Sequence, residues 1–420
     1  MKSKLQFLFA FIVSLTCLQA QEVSVSTSMG AGYPNQLYYK LSTQTETSFA
    51  RNSWDVAFYR ESNFDLGARV NDGNGILVYE VANTPAGYDI VDVSDQSAWA
   101  LLTNDDTNWN NGAFMNTSLT GPLAFGFGTY DPQNNTVIGD IVFVLEYIDG
   151  SYKKFFIESY ASGYNFKFSS WNGSTWSADT NVSLPNTNNP NNIFNYYSLQ
   201  TESEVIAEPA SSDWDFVFRK YDTFLTSPPP GQYYNVTGVL HNPNIEIAAN
   251  DEPGGMPMNP ELTYSEDINT IGWDWKSFGG AGFVVDSDKA FYIKYMDNTI
   301  YRLTFTAFSG GSSGDLTFVY EDVTASLSIE DISKNVSFGI YPNPSTDKQI
   351  NLVYDVNDLS SDKNDVAIYS TTGQKVFQTT LSSNQGFRNK SLNLSSLSDG
   401  VYMLQFTSGE FTTTKKIILK

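Results

Sequence analysis

The chain has 420 residues, which is enough for about two to four domains, and a formal net charge of −22. This acidic balance argues against nucleic acids and anionic membrane surfaces as partners, because both require clustered Lys and Arg. The one cysteine, Cys17, lies in a predicted signal peptide, so the mature chain can hold no disulfide, catalytic thiol or zinc–thiolate site.

The amino terminus has the pattern of a secretory signal peptide, which is predicted to span residues 1–20. Lys2 and Lys4 form a basic start, an apolar run follows over 5–15, and Leu18-Gln19-Ala20 is a suitable cleavage site. The apolar run is too short to cross a bilayer, and no other segment of the sequence approaches the required length. We therefore expect transfer out of the cytoplasm and no transmembrane span once the signal is removed.

The following residues are rich in aromatic side chains, and the full chain has 25 Tyr, 29 Phe and 8 Trp. Long amphipathic helical patterns are absent, so this composition predicts an all-β fold. Two stretches also repeat each other. A Tyr-Tyr strand at 38–46 is echoed at 196–204, and a Trp-Asp strand at 53–60 is echoed at 213–220.

The second half of each copy repeats without a gap. Phe125-Gly126-Phe127 precedes Trp273-Asp274-Trp275 by 148 positions, and Tyr147-Ile148-Asp149-Gly150 precedes Tyr295-Met296-Asp297-Asn298 by the same number. A constant offset over this span indicates a duplication. The Asp-Gly and Asp-Asn pairs predict hairpin turns, since Gly and Asn both tolerate positive φ.

The two copies, predicted as tandem β-domains over residues 21–185 and 186–330, resemble the HmuY family of secreted or surface β-proteins. The Tyr-Tyr strand, the Trp-Asp-x-x-Phe-x-Arg strand and the Tyr-x-x-Asp-Gly hairpin carry this resemblance. The best-known member of that family captures haem. The resemblance therefore implies an extracellular ligand as partner and haem as a candidate cofactor.

The resemblance also bears on which residues could bind haem iron. The founding member of the family uses two axial histidines, whereas this chain has only His241. Met256 and Met258 lie in the loop region beyond it, and His with Met is a permitted haem ligand pair. The structural alternative is a surface histidine beside a Pro-rich loop, with methionines that fill gaps in packing.

No reactive cluster stands out in the sequence, and we predict a non-enzymatic protein without catalytic residues or a metal site. A nucleophile–His–acid triad would have to use His241, and histidine zinc sites need more histidines. The oxygen-rich turns at 104–108 and 286–288 lack the full spacing of a calcium loop. Trp54, Trp214 and Trp273 fit core positions. The tryptophans that could form a platform for a sugar are Trp109, Trp171, Trp176, Trp273 and Trp275.

The last part of the chain, residues 335–420, is predicted to form a separate β-sandwich. It resembles the type A C-terminal sorting domain of bacterial type IX secretion, through a Tyr-Pro-Asn-Pro start, a Gly-containing hairpin and a basic terminal strand. The residues that carry the resemblance are Tyr341, Pro342, Asn343, Pro344, Gly373, Gly400, Tyr402, Lys415 and Lys416. The resemblance implies the type IX secretion machinery as a partner, with secretion or attachment at the outer cell surface as the result.

These observations predict an exported, non-enzymatic protein whose duplicated domains bind an extracellular ligand. A structural or adhesive surface protein is one alternative, and a carbohydrate-binding module is another.

Overall fold

The computed structural model describes residues 22–60, 66–227, 229–257, 260–327, 336–356, 364–381, 386–408 and 411–420. The predicted signal peptide (1–20) and Met258 lie outside the described residues. The chain divides into two compact units, the first ending at Asp322 and the second beginning at Val323. In both units the described residues form mainly antiparallel strands, which confirms the predicted all-β fold class.

The first unit contains the two sequence repeats. The strands of the first repeat are β1 (Val23–Ser28), β2 (Asn35–Lys40), β3 (Thr45–Ala50), β4 (Val56–Tyr59), β5 (Ala68–Val70), β6 (Leu77–Ala82), β7 (Ala100–Leu102), β8 (Ala124–Phe125), β9 (Gly128–Asp131), β10 (Thr136–Gly139), β11 (Val142–Glu146), β12 (Tyr152–Tyr160) and β13 (Gly163–Ser170). The strands of the second repeat are β14 (Thr180–Pro185), β15 (Phe194–Ser198), β16 (Ser203–Val205), β17 (Phe216–Leu225), β18 (Gln232–His241), β19 (Ile245–Asp251), β20 (Lys276–Phe278), β21 (Phe283–Val285), β22 (Lys289–Tyr295), β23 (Ile300–Phe308) and β24 (Asp315–Asp322). Strand β14 precedes the predicted boundary at 185 but is the counterpart of β1, since β1 pairs with β24 and β14 pairs with β13. Short 3₁₀ helices lie at Arg51–Ser53, Asp72–Asn74, Pro85–Ile90, Val93–Ala98, Ala113–Met115, Ser211–Asp213 and Gly310–Ser312.

These strands form four main sheets. Sheet I has the order β7-β6-β11-β12-β10-β9-β8, with β13 beside β12 and β14 beside β13. Sheet II is β16-β15-β4-β5, sheet III is β18-β17-β2-β3, and sheet IV is β1-β24-β23-β22-β19. Strands β20 and β21 pair only with each other as a short hairpin.

The repeats exchange strands reciprocally. In sheet III, β2 of the first repeat pairs with β17 of the second, so that Tyr39 lies opposite Phe216. In sheet II, β15 of the second repeat pairs with β4 of the first, so that Tyr197 lies opposite Val56. The outermost exchange follows the same rule, since β1 pairs with β24 and β14 pairs with β13.

This exchange changes how the predicted tandem domains must be understood. Three of the four sheets take strands from both 21–185 and 186–330, and the two ranges belong to one compact unit. The Tyr-Tyr strand of each repeat completes the sheet of the other repeat, so neither range contains a complete set of sheets. Among the described residues, the ranges 21–185 and 186–330 therefore share sheets rather than forming separate sets.

The second halves of the repeats have the same local structure. Both hairpins predicted from the Asp-Gly and Asp-Asn pairs are present, with φ of 78° at Gly150 and 66° at Asn298. A β-bulge falls between Ile157 and Ser159 in one copy and between Phe305 and Ala307 in the other, which preserves the offset of the sequence repeat. The second halves of the repeats therefore share their turn and bulge positions at the offset of the sequence repeat.

Three buried clusters separate the four sheets. Phe58 and Phe143 belong to the cluster between sheets I and II, and Phe216 and Phe318 to the cluster between sheets III and IV. Between sheets II and III lies a cluster formed by both repeats, in which Trp54 and Trp214 are each 2 % exposed. Both tryptophans were predicted as core residues, and this is confirmed. Burial of such rings contributes on the order of 2–3 kcal/mol each.

The second unit is a β-sandwich. Its strands are β25 (Val336–Tyr341), β26 (Gln349–Val356), β27 (Asn364–Ser370), β28 (Lys375–Leu381), β29 (Gly386–Asn393), β30 (Gly400–Ser408) and β31 (Phe411–Leu419). One sheet has the order β25-β26-β29 and the other β28-β27-β30-β31. Leu352 of the first sheet and Ile368 and Leu404 of the second are fully buried in a common core.

Candidate functional site

His241 is a structural residue. It ends β18 and is 0 % exposed, with Nδ1 2.8 Å from the carbonyl oxygen of Asn242 and Nε2 2.9 Å from that of Asp267. Burial lowers the pKa of His241, although both carbonyls act in the opposite direction. Its own carbonyl oxygen accepts a hydrogen bond of 2.8 Å from Trp109 Nε1. Val70 is the equivalent residue of the first repeat, because it lies opposite Val56 in its sheet just as His241 lies opposite Phe216.

The haem-ligand role predicted for His241 stays a prediction. Both of its ring nitrogens contact backbone carbonyls within a buried site, so the alternative of a surface histidine does not describe it. Met256 is half-buried in the loop after β19, and Met258 lies outside the described residues. The sequence could not reveal this, because the carbonyl of Asp267 reaches the ring from 26 positions away.

The acidic turns have ordinary local structure. Asp105 Oδ1 accepts hydrogen bonds from the backbone N–H of Thr107 at 2.8 Å and from its hydroxyl at 2.7 Å. Asp286 Oδ1 accepts one from the backbone N–H of Asp288 at 3.1 Å. Among the described residues there is no group of three or more His, Cys, Asp or Glu that could hold a metal ion.

The five tryptophans proposed for a sugar platform do not come together as one surface. Trp109 and Trp275 are buried, with exposures of 6 % and 1 %. Trp171 and Trp176 are half-buried and contact each other, with ring centroids 5.2 Å apart. Trp273 is half-buried and packs against the cluster between sheets II and III.

An open apolar groove lies at one end of sheet I, between the β8–β9–β10 strands and the turn after β12. We call this cavity of about 590 Å³ the first-repeat groove. It is lined by Leu66, Phe125, Tyr130, Asn135, Val137, Tyr160, Ala161 and Ser162. None of these described lining residues carries a charge. The register of the strands creates the wall, since Val137 lies opposite Tyr130 on one side and Tyr160 on the other.

The aromatic wall of the groove is partly open to solvent. Phe125 is 38 % exposed and contacts Tyr130 with ring centroids 5.9 Å apart. The hydroxyl of Tyr130 donates to Asn135 Oδ1 at 3.0 Å, and the hydroxyl of Tyr160 accepts from Asn186 Nδ2 at 2.9 Å. The two tyrosine hydroxyls at the groove thus have protein partners, and the wall is mainly apolar.

The equivalent place in the second repeat is filled. Lys276 stands 148 positions after Gly128, and its Nζ donates to the carbonyl oxygens of Thr237 at 2.6 Å and Trp273 at 3.1 Å. By strand register and offset, those two residues correspond to Leu66 and Phe125 of the first-repeat groove. The Lys276 ammonium also lies 4.8 Å from the ring centroid of Phe308, the counterpart of Tyr160. Burial lowers the pKa of Lys276 to about 7.

The groove was missed by sequence reasoning. Phe125 marked the repeat, but Tyr130, Val137 and Tyr160 were indistinguishable from ordinary strand residues. The one available signal was the replacement of Gly128 by Lys276 within an otherwise matching pair of copies. Its meaning depends on where the lysine side chain goes, which only the fold decides.

The sorting motif residues converge on the terminal strand of the second unit. Asn343 Nδ2 donates to the carbonyl oxygen of Lys416 at 2.8 Å, and Asn343 Oδ1 accepts from the backbone N–H of Ile418 at 2.9 Å. Lys415 Nζ donates to the carbonyl oxygen of Phe338 at 2.6 Å. Gly373, with φ of 82°, forms the turn after β27.

The remaining motif residues have separate positions. Gly400 begins β30, and Tyr402 on the same strand donates its hydroxyl to the carbonyl oxygen of Ser398 at 2.9 Å. Tyr341 is 50 % exposed.

Residues 339–420 match the family described as "Secretion system C-terminal sorting domain". The second unit is a type IX sorting domain. This confirms the prediction made for the end of the chain. A search of curated proteins finds no match.

One solved structure similar to this chain is titled "Crystal structure of Apo PinO from Porphyromonas gingivitis". The two share 9 % identity over 72 % of this chain and 98 % of that chain, with a TM-score of 0.23. The HmuY-like resemblance of the repeats stays a prediction. In the described residues, no helix combines the length and apolar character needed to cross a membrane.

Proposed function

We propose that this chain is a non-enzymatic extracellular binding protein. The signal peptide at 1–20 directs it across the inner membrane, and the sorting domain directs its export by type IX secretion to the cell surface or the medium. The first unit then binds a small, uncharged and largely apolar ligand in the first-repeat groove. The match of residues 339–420 supports the export, and the open aromatic groove supports the binding.

The size and chemistry of the groove support a small-molecule ligand. Its volume of about 590 Å³ lies within the usual range of roughly 300–1,000 Å³ for ligand pockets. Exposed apolar surface is costly to maintain, and in an exported protein it commonly marks a binding site. Because the described lining residues have no charged side chain, an ionic ligand would lose its hydration against them without gaining a partner.

A binding role without catalysis is supported by the state of the groups that could react. His241 is fully buried with both ring nitrogens against backbone carbonyl oxygens, so a substrate in solvent cannot reach it as a general base. The described lining residues carry no carboxylate, amine or imidazole, and the two tyrosine hydroxyls already have hydrogen-bond partners.

Titration with the uncharged fluorescent dye Nile red tests the groove in the purified protein without its signal peptide. We expect one dye molecule per chain, because Lys276 fills the equivalent place in the second repeat. Phe125→Ala should weaken dye binding about tenfold, since loss of an aromatic contact costs roughly 1–2 kcal/mol. Phe224→Ala is the matched control, because Phe224 is 50 % exposed and lies outside the groove.

Several outcomes would contradict this site. Equal weakening by Phe125→Ala and Phe224→Ala would assign the dye to general surface adsorption. Haemin is a useful second probe, and a Soret shift that survives Phe125→Ala would place haem elsewhere. If neither probe binds, the structural or adhesive function is favoured, because reciprocal strand exchange would make the first unit a rigid spacer.

Export is tested by removing residues 335–420 from the chain expressed in a bacterium that has type IX secretion. We expect the shortened protein to remain in the periplasm, because the signal peptide acts before the sorting domain does. Immunoblots of periplasm, cell surface and medium measure the distribution. Normal release of the shortened chain would contradict the export route.

A further inference from the structure

The terminal strand β31 lies at the edge of its sheet. It pairs with β30 on one side over its whole length, from Phe411 opposite Ser408 to Leu419 opposite Gly400. An edge strand presents a row of backbone N–H and C=O groups that need partners. How the other side of β31 is closed therefore determines how firmly the end of the chain is held.

The Asn343 side chain closes part of that outer edge. Its amide donates to the carbonyl oxygen of Lys416 at 2.8 Å and accepts from the N–H of Ile418 at 2.9 Å, as a neighbouring backbone amide would. Ser345 continues the pairing: its N–H donates to the carbonyl oxygen of Ile418 at 2.9 Å, and its carbonyl oxygen accepts from Lys420 at 2.8 Å. We call these contacts the Asn343 clasp.

The clasp ends beside the two lysines of the sorting motif. Lys415 and Lys416 are both exposed, and the carbonyl oxygen of Lys416 is the one that Asn343 binds. The Lys415 ammonium is fixed as well, 2.6 Å from the carbonyl oxygen of Phe338 and 4.6 Å from its ring centroid. The Asn343 clasp thus holds the backbone from which the lysine pair projects.

We propose that Asn343 is a positioning residue of the sorting signal. By fixing β31 through its own side chain, it presents Lys415 and Lys416 to the secretion machinery in one arrangement. This inference rests on the proposed export function. A residue needed only to form the turn of the Tyr-Pro-Asn-Pro motif would act through its backbone. Asn343 instead contacts β31 through its side chain, which is the role proposed here.

The test compares Asn343→Ala, Asn343→Asp and Asn393→Ala in the full chain. Hydrogen exchange at 416–420 should become about tenfold faster in Asn343→Ala, because the side-chain partner of the Ile418 N–H is lost. Asn343→Asp keeps the acceptor but loses the donor, and it should be intermediate. Asn393 is a control asparagine of the same unit whose Oδ1 accepts a hydrogen bond from the backbone N–H of Ser395 at 3.0 Å, and its replacement should change neither measurement.

The exported fraction of each variant is measured in the same strains. We expect several-fold lower export for Asn343→Ala, partial rescue by Asn343→Asp, and unchanged exchange at the buried Leu404 and Phe406, which excludes unfolding of the unit. Normal export despite faster exchange at 416–420 would overturn the positioning role. Unchanged exchange would overturn the clasp itself. Failure of the export function is distinguishable, because the chain lacking 335–420 would then be released normally.

Discussion

Single buried carboxylates connect the two repeats. Asp215 of the second Trp-Asp strand accepts hydrogen bonds at 2.7 Å from both the Leu41 N–H and the Lys40 ammonium of the first repeat. Asp55 of the first Trp-Asp strand accepts from the Gln200 N–H at 3.1 Å in the second repeat. Each aspartate therefore caps the turn that follows the Tyr-Tyr strand of the other copy. This reciprocity explains why Trp-Asp and Tyr-Tyr occur together in both repeats.

Glu208 is a buried acid beside this junction. It is 2 % exposed, and its carboxylate accepts from the Phe194 N–H at 2.7 Å and the Tyr196 hydroxyl at 3.0 Å. Burial raises the pKa of Glu208 from 4.5 to about 8, because the charged form loses its hydration. The folded protein therefore holds a proton on Glu208 that the unfolded chain releases at lower pH.

Glu208→Gln should remove a pH dependence of stability. Between pH 4.5 and about 8 the unfolded state binds fewer protons at this position, so the free energy of unfolding falls as pH rises through that window and levels above it. One pKa unit corresponds to about 1.4 kcal/mol, which sets an upper limit of roughly 5 kcal/mol on the loss. Urea unfolding of the wild type and Glu208→Gln at pH 5 and pH 9 measures this loss of stability.

The exposed Glu204 provides the control. Glu204→Gln should leave the wild-type pH dependence in place. If Glu208→Gln and the wild type lose equal stability between pH 5 and pH 9, Glu208 does not titrate as its burial indicates.

At the scale of single elements, both repeats form the same type of hairpin turn, with Gly150 in the first and Asn298 at the equivalent position in the second. Gly150 and Asn298 both have positive φ. In the first hairpin Asp149 accepts a hydrogen bond from the backbone N–H of Ser151 at 3.0 Å, and in the second Asp297 accepts one from that of Thr299 at 2.9 Å. The residue at this position of the turn must therefore tolerate positive φ. A Cβ atom at Gly150 would meet no atom within 4 Å, so side-chain crowding plays no part.

Gly150→Asn should be nearly neutral, whereas Gly150→Val should destabilise the first unit by about 1–2 kcal/mol. Asn tolerates the left-handed region, as Asn298 shows, and a β-branched residue does not. Thermal unfolding followed by circular dichroism measures the difference. Equal effects of the two substitutions would show that backbone conformation does not determine the cost at this turn.

At the scale of the whole first unit, strand exchange makes the repeats depend on each other. The first repeat alone would lack β14, β15 and β16, and the second alone would lack β1, β2 and β3. Each fragment would then expose apolar faces that the other normally covers, including Tyr39 or Tyr197. A cut within the exposed turn at 172–175, which joins β13 to β14, leaves all of these strands intact.

Fragments 22–173 and 174–420 should therefore fold only together. When each fragment is expressed alone, we expect fragment 22–173 to show no cooperative thermal transition. Fragment 174–420 should lack the transition that belongs to the first unit of the intact protein. When the fragments are mixed or co-expressed, a 1:1 complex should form, detectable by native mass spectrometry. Two independently folded fragments without affinity for each other would contradict the exchange and restore the tandem-domain arrangement.

Much of the fold could be predicted from local patterns. The hairpins at Gly150 and Asn298, the buried Trp54 and Trp214, and the β-sandwich at the end of the chain follow from period-two alternation and turn residues, which act over a few positions. The sorting motif at Tyr341 to Pro344 was visible for the same reason. Partners more than a hundred positions apart were not, because an identical Tyr-Tyr strand fits the sheet of either repeat equally well.

The sequence by itself determined that this protein is a duplicated β-protein ending in a sorting domain, because repeats, turns and motifs are local properties of the chain. Only the tertiary structure decided that the repeats exchange strands, that His241 is enclosed by two carbonyls, and that Lys276 fills in one copy the space that Gly128 leaves open in the other. Those outcomes depend on which residues meet across the sheets, and long-range packing settles that.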